Sequence, residues 1–221
     1  MLLNTDTSQR VVIHTEATPW LDSPLPGVRR RMLERDGEEV ARATSIVRYA
    51  PGSRFSEHSH GLGEEFLVLE GVFSDEHGDY PPGTYVRNPP GSSHRPYSRD
   101  GCTLFVKLRQ MDDTDRLFVR IDTAGEPWSP GGEQGLLLMP LHSTERETVA
   151  LTKLAPETRL ERRHHPAGEE IWVLEGVLED DDGIYPKGTW VRNPPGSSHA
   201  PRSGAGCVYY SKTGHLGVRP E

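Results

Sequence analysis

The sequence predicts an all-β protein built from two tandem domains of similar size. Three observations predict this fold class: a long internal repeat, frequent turn residues, and short apolar runs without a helical period. The chain has 221 residues, including 23 glycines and 19 prolines, and this excess without a collagen-like period indicates many turns between short elements. No stretch of about 12 residues keeps a helical period without a glycine or proline in it. Many short strands are typical of a β-barrel or sandwich.

The internal repeat predicts the domain organisation. Residues 50–102 align with residues 155–207 without a gap, and 31 of the 53 aligned positions are identical. A period of this length is too long for a solenoid unit and matches a whole small domain. We therefore expect one domain over residues 1–112 and a second over residues 113–221, with the boundary in a polar stretch.

Each domain is predicted to consist of short strands. In the first domain, two long runs flank Asp36-Gly37, a dipeptide that is favoured in tight hairpin turns. Shorter apolar runs follow, each bounded by glycine or proline, and the second domain repeats the pattern. The predicted strands of the first domain lie at residues 28–34, 38–50, 66–69, 85–86 and 103–108.

A cluster of histidines and a glutamate follows the second of these strands. His58 and His60 are two residues apart, so on a strand both side chains point to one face. Glu64 follows a glycine-containing break, and His94 comes just after a Pro-Pro-Gly turn. Three imidazoles and one carboxylate can hold a divalent cation with coordination positions left open. Imidazole suits zinc, copper, iron or nickel, and the carboxylate extends this range to manganese.

These residues resemble the two sequence motifs of the cupin family. The residues that match the first motif are Gly52, His58, His60, Glu64 and Gly71. Those that match the second are Gly83, Pro89, Gly91 and His94, with Ser98 where the family often has asparagine. The resemblance implies a double-stranded β-helix, or jelly-roll barrel, in each domain. It also implies that one metal ion is held by His58, His60, Glu64 and His94, and that the protein forms a homodimer.

A narrower resemblance extends over both domains, roughly residues 10–215. The runs that carry it are Gly63-Glu64-Glu65, Val68-Leu69-Glu70-Gly71, Asp75 to Pro81, and Arg87 to His94. They resemble the ChrR-type cupin domain of anti-sigma factors, which restrain an extracytoplasmic-function sigma factor until an oxidative signal arrives. The resemblance implies a zinc centre, a regulatory or stress-sensing role, and a sigma factor as partner. The helical sigma-binding domain of that family is not expected here, since too few residues precede the first predicted strand.

The second domain carries an altered version of the metal cluster. Its counterparts of the four ligands are Arg163, His165, Glu169 and His199. Arginine cannot ligate a metal, because its guanidinium stays charged and has no acceptor atom. We expect Arg163 to pair with Glu169 and to fill the metal position. The alternative is a weaker site of His165, Glu169 and His199, similar to the facial triad of iron oxygenases. By strand alternation, His164 should point away from His165.

Other polar residues are interpreted as structural. Cys102 and Cys207 occupy equivalent positions, each at the start of a predicted strand, and are interpreted as small buried residues rather than redox sensors. The pairs Arg87-Asn88 and Arg192-Asn193 are expected to hold the Pro-Pro-Gly turns that follow them. The histidines outside the ligand positions are interpreted as surface residues, and they are His14, His77, His142 and His215.

Charge and hydropathy exclude two kinds of partner. The chain has 33 acidic and 25 basic side chains, a net charge of −8, and no basic tract, so nucleic acid is not an expected partner. No apolar run approaches the roughly 20 residues of a membrane-spanning helix. The polar N-terminus lacks the apolar stretch of a signal peptide, and we therefore expect a cytoplasmic protein without a membrane partner.

Three functions remain open at this stage, because a fold alone does not choose among them. The first is a metal-binding regulator or sensor, as the ChrR-type resemblance implies. The second is a dioxygenase that acts on a small organic molecule, similar to the flavonol- and β-diketone-cleaving cupins, with Glu64 as a catalytic base. The third is an isomerase or a storage-type cupin. The expected cofactor is one divalent metal ion, zinc in the first place, with iron, manganese, nickel or copper as alternatives.

Overall fold

The computed structural model describes residues 1–217 and consists almost entirely of antiparallel strands. One 3-10 turn, Thr15–Ala17, is the single helical element of this range, which confirms the all-β prediction. No helix in the described part of the chain is long and apolar enough to cross a membrane.

Short strands alternate with turns along the whole described chain. The first fifteen are β1 (Leu2–Leu3), β2 (Val11–His14), β3 (Leu21–Asp22), β4 (Val28–Gly37), β5 (Ala41–Tyr49), β6 (Ser53–Arg54), β7 (His58–Ser59), β8 (Glu64–Gly71), β9 (Phe73–Asp75), β10 (Gly78–Tyr80), β11 (Thr84–Asn88), β12 (Ser93–His94), β13 (Tyr97–Ser98), β14 (Cys102–Leu108) and β15 (Val119–Asp122). The others are β16 (Ser129–Pro130), β17 (Leu136–Ser143), β18 (Thr148–Leu154), β19 (Thr158–Arg159), β20 (Arg163–His165), β21 (Glu169–Glu179), β22 (Ile184–Pro186), β23 (Thr189–Asn193), β24 (Ser197–His199), β25 (Arg202–Ser203) and β26 (Cys207–Thr213).

The first compact unit comprises Met1–Thr5 and Pro19–Glu126. Its main sheet has the order β1-β4-β5-β14-β8-β11-β15, with β3 paired to β4, and its smaller sheets are β10-β9-β13-β6 and β12-β7. Alternate residues of these strands form one apolar core, as expected when one face of a sheet is buried. The core consists of Val28, Val47, Phe66, Val68, Phe73, Tyr80, Val86, Cys102, Leu104 and Val106.

The second unit comprises Asp6–Thr18 and the chain from Pro127 onwards. Its main sheet has the order β16-β17-β18-β26-β21-β23-β2, with β22 and β25 paired to β21, and β20 pairs separately with β24. Its strands enclose an equivalent apolar core. That core consists of Leu136, Leu154, Leu160, Ile171, Val173, Leu178, Tyr185, Val191, Cys207 and Tyr209.

Two edge strands depart from the expected division at residue 112. β15 follows that position in the chain but pairs with β11 of the first unit, where Arg87 lies opposite Val119. β2 comes from the N-terminus but pairs with β23 of the second unit, where Arg192 lies opposite Val11. Both strands lie outside the 53 aligned positions, so the repeat carried no information about where they pair.

The first hairpin turns later than the sequence predicts. β4 continues through Asp36 to Gly37, and Gly37 pairs with Ala41 at the start of β5. The turn therefore consists of residues 38–40 instead of Asp36-Gly37. Gly37 has a φ of +116° and, with a Cβ, would contact the carbonyl oxygen of Val40, so glycine is required where the strand enters a three-residue loop.

Candidate metal centre

Separate short strands bring the four predicted ligands of the first unit together. β7 pairs with β12, which places His58 directly opposite His94. His60 follows β7, and Glu64 is the first residue of β8. One ligand atom from each of these four residues can be chosen so that all lie within 4.8 Å of one another. Because metal–ligand bonds are about 2 Å long, atoms this close together can bind one shared ion.

Inside this cluster, nitrogen atoms surround one carboxylate oxygen. Oε2 of Glu64 lies 3.4 Å from Nε2 of His60 and 3.6 Å from Nε2 of His94. The His58 ring lies 4.9 Å from the His94 ring, centroid to centroid. The side chains of His60 and His94 are 4% exposed and that of Glu64 is 12% exposed, whereas His58 is exposed. The cluster is therefore open to solvent on the His58 side.

The outward atoms of the cluster are held by neighbouring polar groups. Nδ1 of His60 lies 2.9 Å from Oγ of Ser92, and Nδ1 of His94 lies 3.2 Å from Oδ2 of Asp75. The Asn88 amide donates a hydrogen bond of 3.1 Å to Oε2 of Glu64. Such contacts to the outer nitrogen orient an imidazole and direct its other nitrogen inward.

The inward nitrogen atoms lack partners that would satisfy them. Nε2 of His60 and Nε2 of His94 are buried and make no hydrogen bond. Buried polar atoms are almost always hydrogen-bonded in native proteins, so an exception calls for an explanation such as an ion. Two buried imidazole nitrogens that converge on a carboxylate oxygen fit a divalent cation of the zinc, iron, manganese, nickel or copper type.

The pKa values of the site show how its charges are balanced. Burial lowers the pKa of His60, against the charge of Glu64. Burial acts in the same direction on His94, but its hydrogen bond to Asp75 and the charge of Glu64 outweigh it, so the pKa of His94 is raised. Burial would raise the pKa of Asp75, yet hydrogen bonds from His94, the His77 amide and the Tyr80 hydroxyl lower it. The site therefore stabilises positive charge between its carboxylates.

The second unit keeps three of the four groups in the same arrangement. His165, Glu169 and His199 are all buried, and one atom of each lies within 4.8 Å of the others. Oε2 of Glu169 lies 3.5 Å from Nε2 of His165 and 3.0 Å from Nε2 of His199. Nδ1 of His199 lies 3.1 Å from Asp180, and the hydrogen bonds of Asp180 lower its pKa to about 2 although burial would raise it.

The predicted pairing of Arg163 with Glu169 is wrong. Nη2 of Arg163 lies 2.5 Å from Oε1 of Glu133, while Glu169 contacts His165, His199 and the amide of Asn193. Glu133 is 30 residues away in the chain and precedes the aligned repeat, so spacing could not reveal the pair. Because Arg163 pairs with Glu133, it does not pair with Glu169, and the carboxylate of Glu169 remains grouped with His165 and His199.

His164 and the two cysteines lie as predicted, whereas two of the four remaining histidines do not. His164 is exposed and His165 buried, as strand alternation predicts. Both cysteines are buried and free, and each starts its strand, as predicted. Of the four histidines interpreted as surface residues, His14 and His77 are exposed. The prediction is wrong for the other two: the side chains of His142 and His215 are 2% exposed and lie near Glu147 and Glu170.

Arg87 and Asn88 hold carboxylates at and beside the cluster of the first unit. Nη1 of Arg87 donates to the buried carboxylate of Glu65 over 2.9 Å, and Nη2 to Asp115 over 2.7 Å, while Asn88 holds Glu64. These contacts fix the carboxylates of β8, a role that the sequence interpretation did not include. Ion pairs satisfy a guanidinium more strongly than neutral carbonyl groups do.

Sequence reasoning missed the groups that hold the ligands from outside. A signal for them was present, because the repeat keeps each one unchanged in both units. These identical pairs are Asp75 and Asp180, Tyr80 and Tyr185, Asn88 and Asn193, and Ser92 and Ser197. The repeat gives no such signal for Arg10, because this residue lies outside the aligned positions. Arg10 precedes β2, and its Nε donates a hydrogen bond of 2.9 Å to Asn193.

Comparison with known protein families gives one match that covers most of the chain. The ChrR cupin-like domain matches twice, over residues 8–112 and 117–217. No curated protein matches the sequence.

Solved structures of similar fold are cupin proteins of low sequence identity. A candidate dioxygenase from Nostoc punctiforme has a TM-score of 0.79 at 17% identity, over 96% of this chain and 85% of its own. A cupin 2 conserved barrel domain protein from Leptotrichia buccalis has a TM-score of 0.64 at 11% identity, over 96% and 99%. Oxalate decarboxylase from Lactobacillus farciminis, in a formate complex, has a TM-score of 0.65 at 11% identity, over 93% and 86%. These likenesses support the cupin fold.

Proposed function

Because this chain belongs to the family of ChrR cupin-like domains, which it carries twice in tandem, we propose that it is a metal-binding regulatory or stress-sensing protein. One divalent metal ion, zinc in the first place, is held in the first unit. Its proposed ligands are His58, His60, Glu64 and His94. The observation that carries the proposal is the pair of buried nitrogens, on His60 and His94, that face Glu64 without a hydrogen bond.

The surrounding residues have defined tasks in such a centre. A bound zinc ion supplies a Lewis acid and a fixed charge that orders the loops bearing its ligands. Ser92 and Asp75 fix the orientation of His60 and His94, and Asn88 fixes the carboxylate of Glu64. The exposed ring of His58 lies on the open side of the cluster, where a ligand exchange or an oxidative signal would first act.

An extracytoplasmic-function sigma factor is the proposed partner, and the proposed compartment is the cytoplasm. The test is co-elution of the purified chain with each such sigma factor from the same genome, metal-loaded and metal-free, in size-exclusion chromatography. We expect one sigma factor to co-elute with the loaded wild type and with His77→Ala, and not with His60→Ala. Elution of all partners as free proteins contradicts the regulatory role. The same runs give the mass of the free chain, for which we propose a homodimer.

A metal-dependent dioxygenase is the second candidate function, and the exposure of His58 favours it, because a small molecule can reach the cluster from that side. In this function a small organic substrate enters beside the metal, and Glu64 accepts a proton from it.

Metal identity and oxygen consumption separate the two candidates. Iron, manganese, nickel or copper in the first unit, with substrate-dependent oxygen uptake that His60→Ala abolishes, supports the dioxygenase. Zinc without oxygen uptake for any flavonol or β-diketone tested supports the regulator.

A further inference from the structure

Arg163 occupies in the second unit the place that His58 has in the first. β20 pairs with β24 so that Arg163 lies opposite His199, as His58 lies opposite His94. The guanidinium therefore borders the cluster of His165, Glu169 and His199. Residues directly opposite each other in an antiparallel pair have Cβ atoms about 5 Å apart, so the side chain of Arg163 starts beside that of His199.

Two buried nitrogens without a hydrogen bond to any described residue lie on the strand that carries Arg163. They are Nε2 of His165 and Nε of Arg163, while Nε2 of His199 faces Oε2 of Glu169 at 3.0 Å. Arg163 and its partner Glu133 are 39% and 30% exposed, so the arginine lies between the buried cluster and solvent. The two imidazole nitrogens and the carboxylate suit a cation, whereas a guanidinium N–H suits an anion.

We propose that the second unit binds a divalent cation on His165, Glu169 and His199 together with a small monocarboxylate that contacts both the cation and the Arg163 guanidinium. Three protein ligands leave coordination positions open, and the fourth protein ligand of the first unit is replaced here by a positive charge. Two cations in proximity repel each other, and an anion between them removes that repulsion. This site is additional to the one on which the proposed function rests.

Glu133 competes with the incoming anion in this arrangement. Its carboxylate holds the outer nitrogen of Arg163 at 2.5 Å, so it acts as an internal substitute for the free carboxylate. Removing the charge of Glu133 should therefore strengthen anion binding, whereas removing the charge of Arg163 should weaken it.

The test uses the full chain with the first site disabled by His60→Ala and His94→Ala, with Co²⁺ and acetate as probes. Visible absorption reports Co²⁺ coordination, and circular dichroism and thermal unfolding confirm that each variant is folded. We expect one Co²⁺ per chain and a saturable spectral change on adding acetate. Adding Arg163→Gln should retain Co²⁺ and weaken acetate binding at least tenfold. Glu133→Gln should tighten acetate binding several-fold, and Arg159→Gln, an exposed arginine in the same unit, should change nothing.

A gain-of-ligand variant provides an independent readout. Arg163→His restores the four-residue pattern of the first unit, and we expect tighter Co²⁺ binding with little response to acetate. The proposal is overturned if the folded first-site variant binds no Co²⁺, or if Arg163→Gln and Arg159→Gln have the same acetate affinity. Neither outcome affects the proposed function, which is tested by the metal content of the wild-type first unit.

Discussion

At the residue scale, polar groups hold the outer nitrogens of two candidate ligands, His60 and His94. Asp75 accepts hydrogen bonds from Tyr80 and from the backbone of His77 while its Oδ2 faces Nδ1 of His94. This network fixes which nitrogen of His94 points inward. Ser92 does the same for His60.

Asp75→Asn should weaken metal binding without removing a ligand. The amide keeps the shape of the side chain but loses the charge that orients and polarises His94, and losses of this kind typically reduce metal affinity about 10- to 100-fold. The measurement is a competition titration with a zinc-binding dye. Asp100→Asn, at an exposed site, is the matched control, and equal affinities for the two variants would show that Asp75 does not act on the metal.

The two cysteines should be unreactive in the folded protein. Burial raises the pKa of Cys102 to about 11 and also raises the pKa of Cys207. Since a raised pKa leaves the thiol protonated, almost no thiolate is present at pH 8. A thiol-reactive disulfide reagent should modify neither cysteine within minutes under native conditions and both in denaturant. Rapid modification of one thiol in the native protein would instead support a redox-sensor role.

Sequence reasoning identified the four residues that the fold brings together, because their identities and spacings match a known motif. His58, His60 and Glu64 lie within seven residues of one another, and His94 follows a recognisable turn. The partner of Arg163 could not be predicted in this way, because Glu133 reaches it through the fold. The burial of His142 and His215 was missed for the same reason: single histidines carry no periodic pattern that reports burial.

At the element scale, the apolar runs predicted five strands of the first unit, namely β4, β5, β8, β11 and β14, but neither the short strands between them nor the edges of its sheets. β8, β11 and β14 contain the apolar runs from which they were predicted. β2 and β15 have four residues each. The sheet that such a short strand joins depends on which sheet edge the chain reaches. Local composition contains no information about that choice.

Gly71 should tolerate substitution less well than Gly52, although both glycines have positive φ. It has a φ of +67°, and a Cβ there would lie 2.1 Å from the carbonyl oxygen of Gly101. Gly52 has a φ of +77°, but a Cβ added there would have no atom within 4 Å. Gly52→Ala should therefore lower the free energy of unfolding only through backbone strain, by about 1 kcal/mol. In urea unfolding, Gly71→Ala should lose at least about 2 kcal/mol more than Gly52→Ala, by overpacking against backbone. Equal losses would contradict the close approach.

At the scale of the whole molecule, duplication has left two units with the same fold and different chemistry. The first keeps three imidazoles and one carboxylate, and the second replaces one imidazole with Arg163. Asp180, Tyr185 and Asn193 are nevertheless retained and make contacts equivalent to those of the first unit. The outer contacts of His199 and Glu169 are thus retained in the second unit, whereas the hydroxyl of Ser197, the counterpart of Ser92, makes no hydrogen bond within the described part of the chain.

Metal binding should raise the thermal stability of the whole chain. A ligand at 100 times its dissociation constant stabilises the native state by about 2.7 kcal/mol, which for a protein of this size corresponds to a Tm higher by about 5–10 °C. Differential scanning calorimetry with and without zinc tests this expectation. The increase should be markedly smaller in His60→Ala, and an equal increase in that variant would place the stabilising metal elsewhere.

The most direct test of the metal centre is elemental analysis of the purified chain after dialysis against metal-free buffer. We expect the His60→Ala chain to hold about one equivalent of divalent metal less than the wild-type chain and the His77→Ala chain, which should hold equal amounts. A folded His60→Ala protein that retains as much metal as the wild type would contradict the assignment of His58, His60, Glu64 and His94 as ligands of one ion.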